Sequence, residues 1–311
     1  MAAERRRRSN LQSFLTRTTP SVPSHSLPKT CIRDLNSLWY PVGKDRVEYF
    51  TLGDLWDQYN EWSVYGAGVP VVLDNGETVV QYYVPYLSAI QIYTSKSPLA
   101  SRNMLEESES DSFSDDSENE KLCRSWDAVS DDSVFDQDSS WPTRENLGHL
   151  CFQYIEYDAP YGRLPLTDKV TELARSFPHL MTLKSVELSP ASWMSVAWYP
   201  IYHIPTHRSV KDLSACFLTY HTISSAFQDN VTGDMEKCGH CTTGNGLEQK
   251  KQSSRITLSS FGLATHKVQG SIWTNPECSD HENLSNLQSA AASWLRQLGV
   301  QHHDFNFFVT H

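Results

Sequence analysis

The chain has 311 residues, 39% of them hydrophobic, with 9 Trp, 14 Tyr and 12 Phe and a formal net charge of −11. No run approaches the roughly 18–20 continuous apolar residues of a bilayer-spanning helix, which excludes a helical membrane protein and points to a soluble, intracellular one. Of the 26 basic and 37 acidic residues, 2 and 13 fall between Glu106 and Asp138, leaving 24 of each elsewhere, so the remainder is electroneutral and offers no broad capture of nucleic acid or anionic membrane.

In chain order, residues 1–8 form a basic tail whose Arg5–Arg8 tetrad reads as a nuclear import signal or a solvated end. No apolar stretch follows it, so a secretory signal is not expected. Arg, Ser and Thr without acidic residues between Glu4 and Asp34 leave organelle import as the lesser alternative to nucleus and cytoplasm. Thr51 and Asp54 make a capping box ahead of Leu52, Leu55, Trp56, Tyr59 and Trp62, one face of a helix. Gly66 to Gly68 end it. VPVVL, a type I′ turn at Asn75-Gly76, and TVVQYYV read as a β-hairpin, with a third strand over 88–94.

Residues 97–145, rich in Ser, Asp and Glu, cannot bury enough apolar area to offset the entropy of ordering and read as a disordered acidic insert. Strands are expected at 149–157, 185–188, 193–203, 213–223 and 261–268, with a polar, Gly-containing loop at 228–255. Thr167 is placed as the cap of a helix carrying Val170, Leu173, Ala174 and Phe177. Ser279 and Glu282 open a long helix closed at Gly299, and a final strand is expected over 304–309. The strands follow one another through turns, which predicts an α+β fold: a mainly antiparallel or mixed sheet with a few packed helices, divided by the acidic insert. One domain in two parts, 9–96 and 146–311, is preferred to two domains because each part supplies only about four strands.

The strings SNLQSFLTRTTPSVP, YFTLGDLWDQYNEWSVYGAGVP, VVQYYVPYLSAIQIY, YGRLPLTDKVTELA, LSPASWMSVAWYPIYHIPT, DLSACFLTYHTIS, FGLATHKVQG and WLRQLGVQHHDFNFF resemble the plant family catalogued as domain of unknown function 789. The resemblance implies a plant source and no activity, since that family carries no assigned catalytic or binding residues. It begins at Ser9, which argues against a cleaved leader.

Candidate chemistry is sparse. Seven scattered cysteines do not form a disulfide framework, and Cys151 and Cys216 read as buried thiols in strands. Cys238-Gly239-His240-Cys241 has the spacing of a disulfide oxidoreductase site but lacks its strand and helix setting. With Cys278 and His281 the same pair, Cys238 and Cys241, would complete a ligand set suited to structural zinc. No other cofactor is indicated. His203, His207 and His221, with Trp198 and Tyr202, outline a pocket for an enzyme, and the run from Ser189 to Pro205 is alternatively an aromatic docking surface or a covered central strand. Ser108, Ser112, Ser117 and Ser133 each have Asp or Glu three residues later, the pattern of an acidophilic kinase of the casein-kinase-two type. The preferred reading is a non-enzymatic regulatory protein that binds a protein partner and carries a phosphorylatable insert.

Overall fold

The computed structural model describes residues 9–32, 45–95, 148–201, 214–227, 255–268, 272–274 and 279–310. The elements are α1 (Asn10–Thr18), β1 (Ser21–Pro23), β2 (His25–Pro28), β3 (Arg46–Tyr49), α2 (Leu52–Tyr65), β4 (Ala67–Val72), β5 (Thr78–Thr94) and β6 (His149–Ile155). They continue as α3 (Leu166–Ser176), α4 (His179–Thr182), β7 (Trp193–Pro200), β8 (Cys216–Thr222), β9 (Arg255–Thr257), β10 (Gly262–His266), α5 (Asp280–Leu298) and α6 (His303–Thr310). The fold is α+β. Every strand pairing is antiparallel, and the main sheet runs β10-β8-β7-β5-β4 with β6 also on β5. Strands from both sides of residues 97–145 thus share one sheet, β5 pairing with β6 and β7. Short pairs β1–β9 and β2–β3 flank it. No helix among the described residues is long and apolar enough to cross a membrane.

The sheet is covered on both faces. On the first lie α1 to α4, which contribute Phe14, Leu55, Tyr59, Val170 and Leu180 to a core shared with Tyr83, Trp198 and Phe217. The Thr51–Asp54 capping box forms as expected and aims Leu52, Leu55, Trp56 and Tyr59 inward. On the second face α5 and α6 place Ala291, Leu295 and Phe308 over Ala89, Trp193, Leu218 and Tyr220. Gly262 passes so close to α5 that a Cβ there would stand 2.9 Å from the Ala291 methyl.

Several local expectations change. The second strand of the hairpin and the expected third strand are one 17-residue strand, β5. Ser88 sits in a bulge opposite β7, between the Leu87 and Ala89 pairings, and the extra residue reverses the alternation. Leu87 faces the first core, and so do Ile90 and Ile92 beyond the bulge. The hairpin turn is not type I′: only Gly76 has a positive φ, Gly76 N–H donates to Leu73 O, and Asn75 Oδ1 accepts from Glu77 N–H, a type I turn completed by glycine. Residues Ser185–Glu187 form a 3-10 turn rather than a strand, because Ser185 is fully buried against Phe50, accepting from its N–H at 3.0 Å. Ser279 makes no side-chain cap, since its backbone is left-handed, and α3 starts at Leu166 after Pro165 rather than at a Thr167 cap. The last segment is helix α6, not a strand: Asp304 and Phe308, four apart, are the buried positions. The acidic insert, the 228–255 loop up to residue 254 and the basic tail lie outside the described residues.

Candidate functional site

Of the expected histidine and aromatic pocket, Trp198 and His221 are core. Trp198 and His221 do meet, through the Thr219 hydroxyl, at 3.0 Å from Trp198 Nε1 and 2.9 Å from His221 Nε2. All three are buried. His221 Nδ1 stands 2.9 Å from Leu258 O, an acceptor, so Nδ1 carries the proton and the ring is neutral; burial lowers its pKa to about 4. Strand β7 is central, so the aromatic run is covered on both faces: Trp198 lies in the first core and Trp193 in the second. His203, His207 and Tyr202 fall outside the described residues.

The charged cluster lies on the other face and draws on four distant segments. Arg163 binds Asp304 through both carboxylate oxygens, at 2.6 and 2.7 Å, and its Nε donates to Asp158 O at 2.8 Å. Ser88 Oγ, aimed there by the bulge, donates to Asp304 Oδ2 at 2.5 Å and lies 2.9 Å from His302 Nε2. Tyr220 OH is 2.7 Å from His302 Nδ1. Burial by itself would raise the Asp304 pKa, but the Arg163 bonds and charge and the Ser88 hydroxyl outweigh it and hold the group ionised below the ordinary range. Burial lowers His302 to about 4, despite the nearby carboxylate.

Ser, His and Asp in contact invite comparison with a nucleophilic triad, and the count of protons decides against it. Ser88 has one proton, which goes to the acceptor-only carboxylate of Asp304. Its contact with His302 is then satisfied by Nε2–H donating to Oγ, leaving Nδ1 as the acceptor for Tyr220 OH. A serine activated for attack must instead give its proton to the imidazole. Ser88, His302 and Asp304 are also buried, with no surface on which a substrate could be attacked. The chain Tyr220–His302–Ser88–Asp304–Arg163 is a lock fastening α6 to the sheet.

Beside this lock lies a cleft of about 990 Å³. Its floor is the second face of β5 and β6, with Gln91, Tyr93, Leu150 and Gln153. Its wall is the end of α5 and the turn after it, Gln297 to Gln301. Gly299 makes that turn possible: it closes α5 in the left-handed region, φ 65°, while Val300 N–H returns to Leu295 O. Gln91 is buried in the floor and fully directed. Its Oε1 accepts from Trp193 Nε1–H at 2.9 Å and Tyr93 OH at 3.2 Å, and its Nε2 donates to Gln153 Oε1 at 2.6 Å.

The remaining candidates scatter. His281 begins α5 with Nε2 3.2 Å from Thr274 Oγ1, while Cys238, Cys241 and Cys278 lie outside the described residues, as do Ser108, Ser112, Ser117 and Ser133. Among the described residues no group of three or more His, Cys, Asp or Glu is arranged to hold a metal ion. Cys216 is buried with its thiol pushed up to about 12, and Cys151 is half-buried with a raised pKa, its Sγ donating to Ile92 O at 3.3 Å. Sequence reasoning missed Arg163, Ser88, Gln91 and Gln153. Only Asp304, a lone carboxylate beside Phe305, Phe307 and Phe308, carried a signal of a buried ion pair.

No curated protein and no solved structure matches the chain. A family model described as Protein of unknown function (DUF789) matches residues 9–308, nearly the whole length and every element that builds the lock and the cleft except the last turn of α6, and the chain belongs to that family.

Proposed function

We propose that this protein is a non-enzymatic binding module whose recognition site is the cleft between β5, β6 and the end of α5. The observation that carries this reading is the chemical character of the lining: amides, phenols, aliphatic groups, one imidazole and glycine backbone, with no carboxylate, ammonium or guanidinium among the described residues that line it. The neighbouring acid–base groups have their protons committed to one another, so the cleft is equipped to hold a molecule and not to transform it. A compound screen read by the side-chain amide NMR signals of Gln91, Gln153, Gln297 and Gln301 tests it. Saturable shifts without conversion of the bound compound are expected; turnover, or silence at all four amides, would sink the reading.

Regulation by the acidic insert is a second part of the proposal. What supports it is the Asp or Glu three residues after Ser108, Ser112, Ser117 and Ser133, together with the place where the insert joins the sheet. Thr94 pairs with His149, and Tyr93, Gly148 and His149 line the cleft, so the strands leading toward and away from the insert meet at its rim. Four phosphates would add roughly −6 to −8 charges there, favouring a basic protein partner. Phosphopeptide mapping of the protein from cells, nuclear and cytoplasmic fractions separately, should find phosphate at these serines; none at all four would refute the kinase assignment.

A further inference from the structure

We infer that the cleft takes a neutral saccharide chain; this rests on the binding-module reading and names its ligand. The argument starts from a group that can only donate. The Trp193 indole has one N–H and no acceptor, so the Gln91 atom 2.9 Å from it must be the amide oxygen. Gln91 therefore meets Gln153 with its nitrogen, and the Gln153 atom 2.6 Å away must be oxygen in turn. The orientation of both amides is thereby determined from the core outward. At the end of the relay the Gln153 amide, on an exposed residue, presents its N–H groups to the cleft.

A ligand on this floor must offer oxygen acceptors, and hydroxyl and ether oxygens qualify. Gln297 and Gln301, exposed on the wall, each present an oxygen and an NH₂ side by side, a pair matched to adjacent hydroxyls that both donate and accept. Tyr157, 66% exposed at the rim, and Leu150, 41% exposed, give flat apolar area for the carbon face of a sugar ring. The volume of about 990 Å³ stands at the upper end of the roughly 300–1,000 Å³ usual for compact ligands, which suits several rings better than one. Other classes fit less well. Among the described residues that line the cleft, an anion would find no cation and an amine no carboxylate. A peptide recognised by strand addition needs a strand edge, whereas this floor is a sheet face.

The test uses the full chain and titrates cellohexaose, xylohexaose and maltohexaose by calorimetry, with trigalacturonic acid and a Gln/Ser/Gly heptapeptide as anionic and peptide comparisons. At least one neutral hexasaccharide should bind saturably and shift the Gln153 amide. Gln153→Ala should weaken it by about tenfold, the order expected for one or two hydrogen bonds. Tyr157→Ala should weaken it severalfold. Both side chains are exposed, so an unchanged melting temperature confirms that the variants fold. Failure of all three neutral sugars to bind, or sugar binding that neither variant alters, overturns the proposal. In the first case the heptapeptide and the compound screen separate the two readings: shifts at the cleft amides keep the binding module and discard the saccharide, and their absence discards both.

Discussion

The two faces of the central sheet are made by the same strands, yet their helices are attached in different ways. On the first face attachment is mainly a matter of apolar area, with Asn10 of α1 adding hydrogen bonds to Val72 and to Ile272 O. Phe14 of α1 stacks on Phe217 at 3.9 Å and meets Tyr83 and Trp198 edge-on, while Tyr59 and Trp62 of α2 close over Trp198. On the second face α6 is attached by a bidentate ion pair and a directed chain of hydroxyls around one imidazole. Each face holds one buried neutral histidine, His221 on the first and His302 on the second. Apolar contact tolerates small slippage, whereas a forked guanidinium–carboxylate pair is satisfied in one position. The lesson is that the face bearing the cleft is the one whose helix position is set by geometry, which holds the wall of glutamines at a defined distance from the floor.

The contrast can be broken most forcefully at Arg163. Arg163→Ala leaves Asp304 charged and buried, and a loss of about 3–5 kcal/mol is expected in urea unfolding at pH 7. Phe14→Ala should cost about as much, roughly 3–5 kcal/mol, by opening a cavity in the ring cluster. The pH response separates them. Without its guanidinium the Asp304 pKa rises, so the Arg163→Ala deficit relative to the native protein should shrink as acid neutralises the carboxylate, while the Phe14→Ala deficit stays flat. Equal pH dependence in both variants would show that the faces are not held differently.

Acid titration of the native protein probes both faces together. His221 and His302 have folded pKa values of about 4, depressed from 6.5, so between these limits the unfolded chain binds more protons. Stability is therefore full above pH 6.5 and should fall toward pH 4, by up to about 1.4 kcal/mol per pH unit for each histidine. Asp304, whose folded pKa is lowered from 3.8, extends the loss further into acid. Urea midpoints at pH 7, 6, 5 and 4 measure the slope, and His302→Gln should halve it.

A smaller effect is expected where a helix touches the second face closely. Gly262→Ala sets a methyl against Ala291 of α5, and overpacking of this kind costs about 1–3 kcal/mol. If α5 simply shifts outward, the calorimetric melting temperature will hold but the Gln297 and Gln301 amide signals will move, which reports on the wall directly. The smallest is Thr51→Ala at the start of α2, worth about 1 kcal/mol through loss of one cap and expected to leave the cleft signals untouched.

The sequence by itself determined the α+β class, an antiparallel or mixed sheet, the strong start of α2 and the extent of α5, because helix caps and side-chain periodicities are written in neighbouring residues. It also placed Trp198 and His221 as candidates, leaving open whether they line a pocket or a covered core. What it could not supply was anything depending on partners far along the chain. Arg163 and Asp304 are 141 residues apart, and nothing near Arg163 distinguishes it from a surface arginine. Gln153 and Gln91 acquire their orientation from Trp193, 102 residues beyond Gln91. The bulge at Ser88 misled the reading of β5, since one added residue turns a continuous strand into two apparently separate patterns. The final helix was lost for a related reason: Phe305 and Phe307 mimic a strand, and Asp304 is buried with Phe308 because it meets the distant guanidinium of Arg163. Periodicity tells a residue which way its neighbours face, but only tertiary structure decides which charge, hydroxyl or indole it will find there.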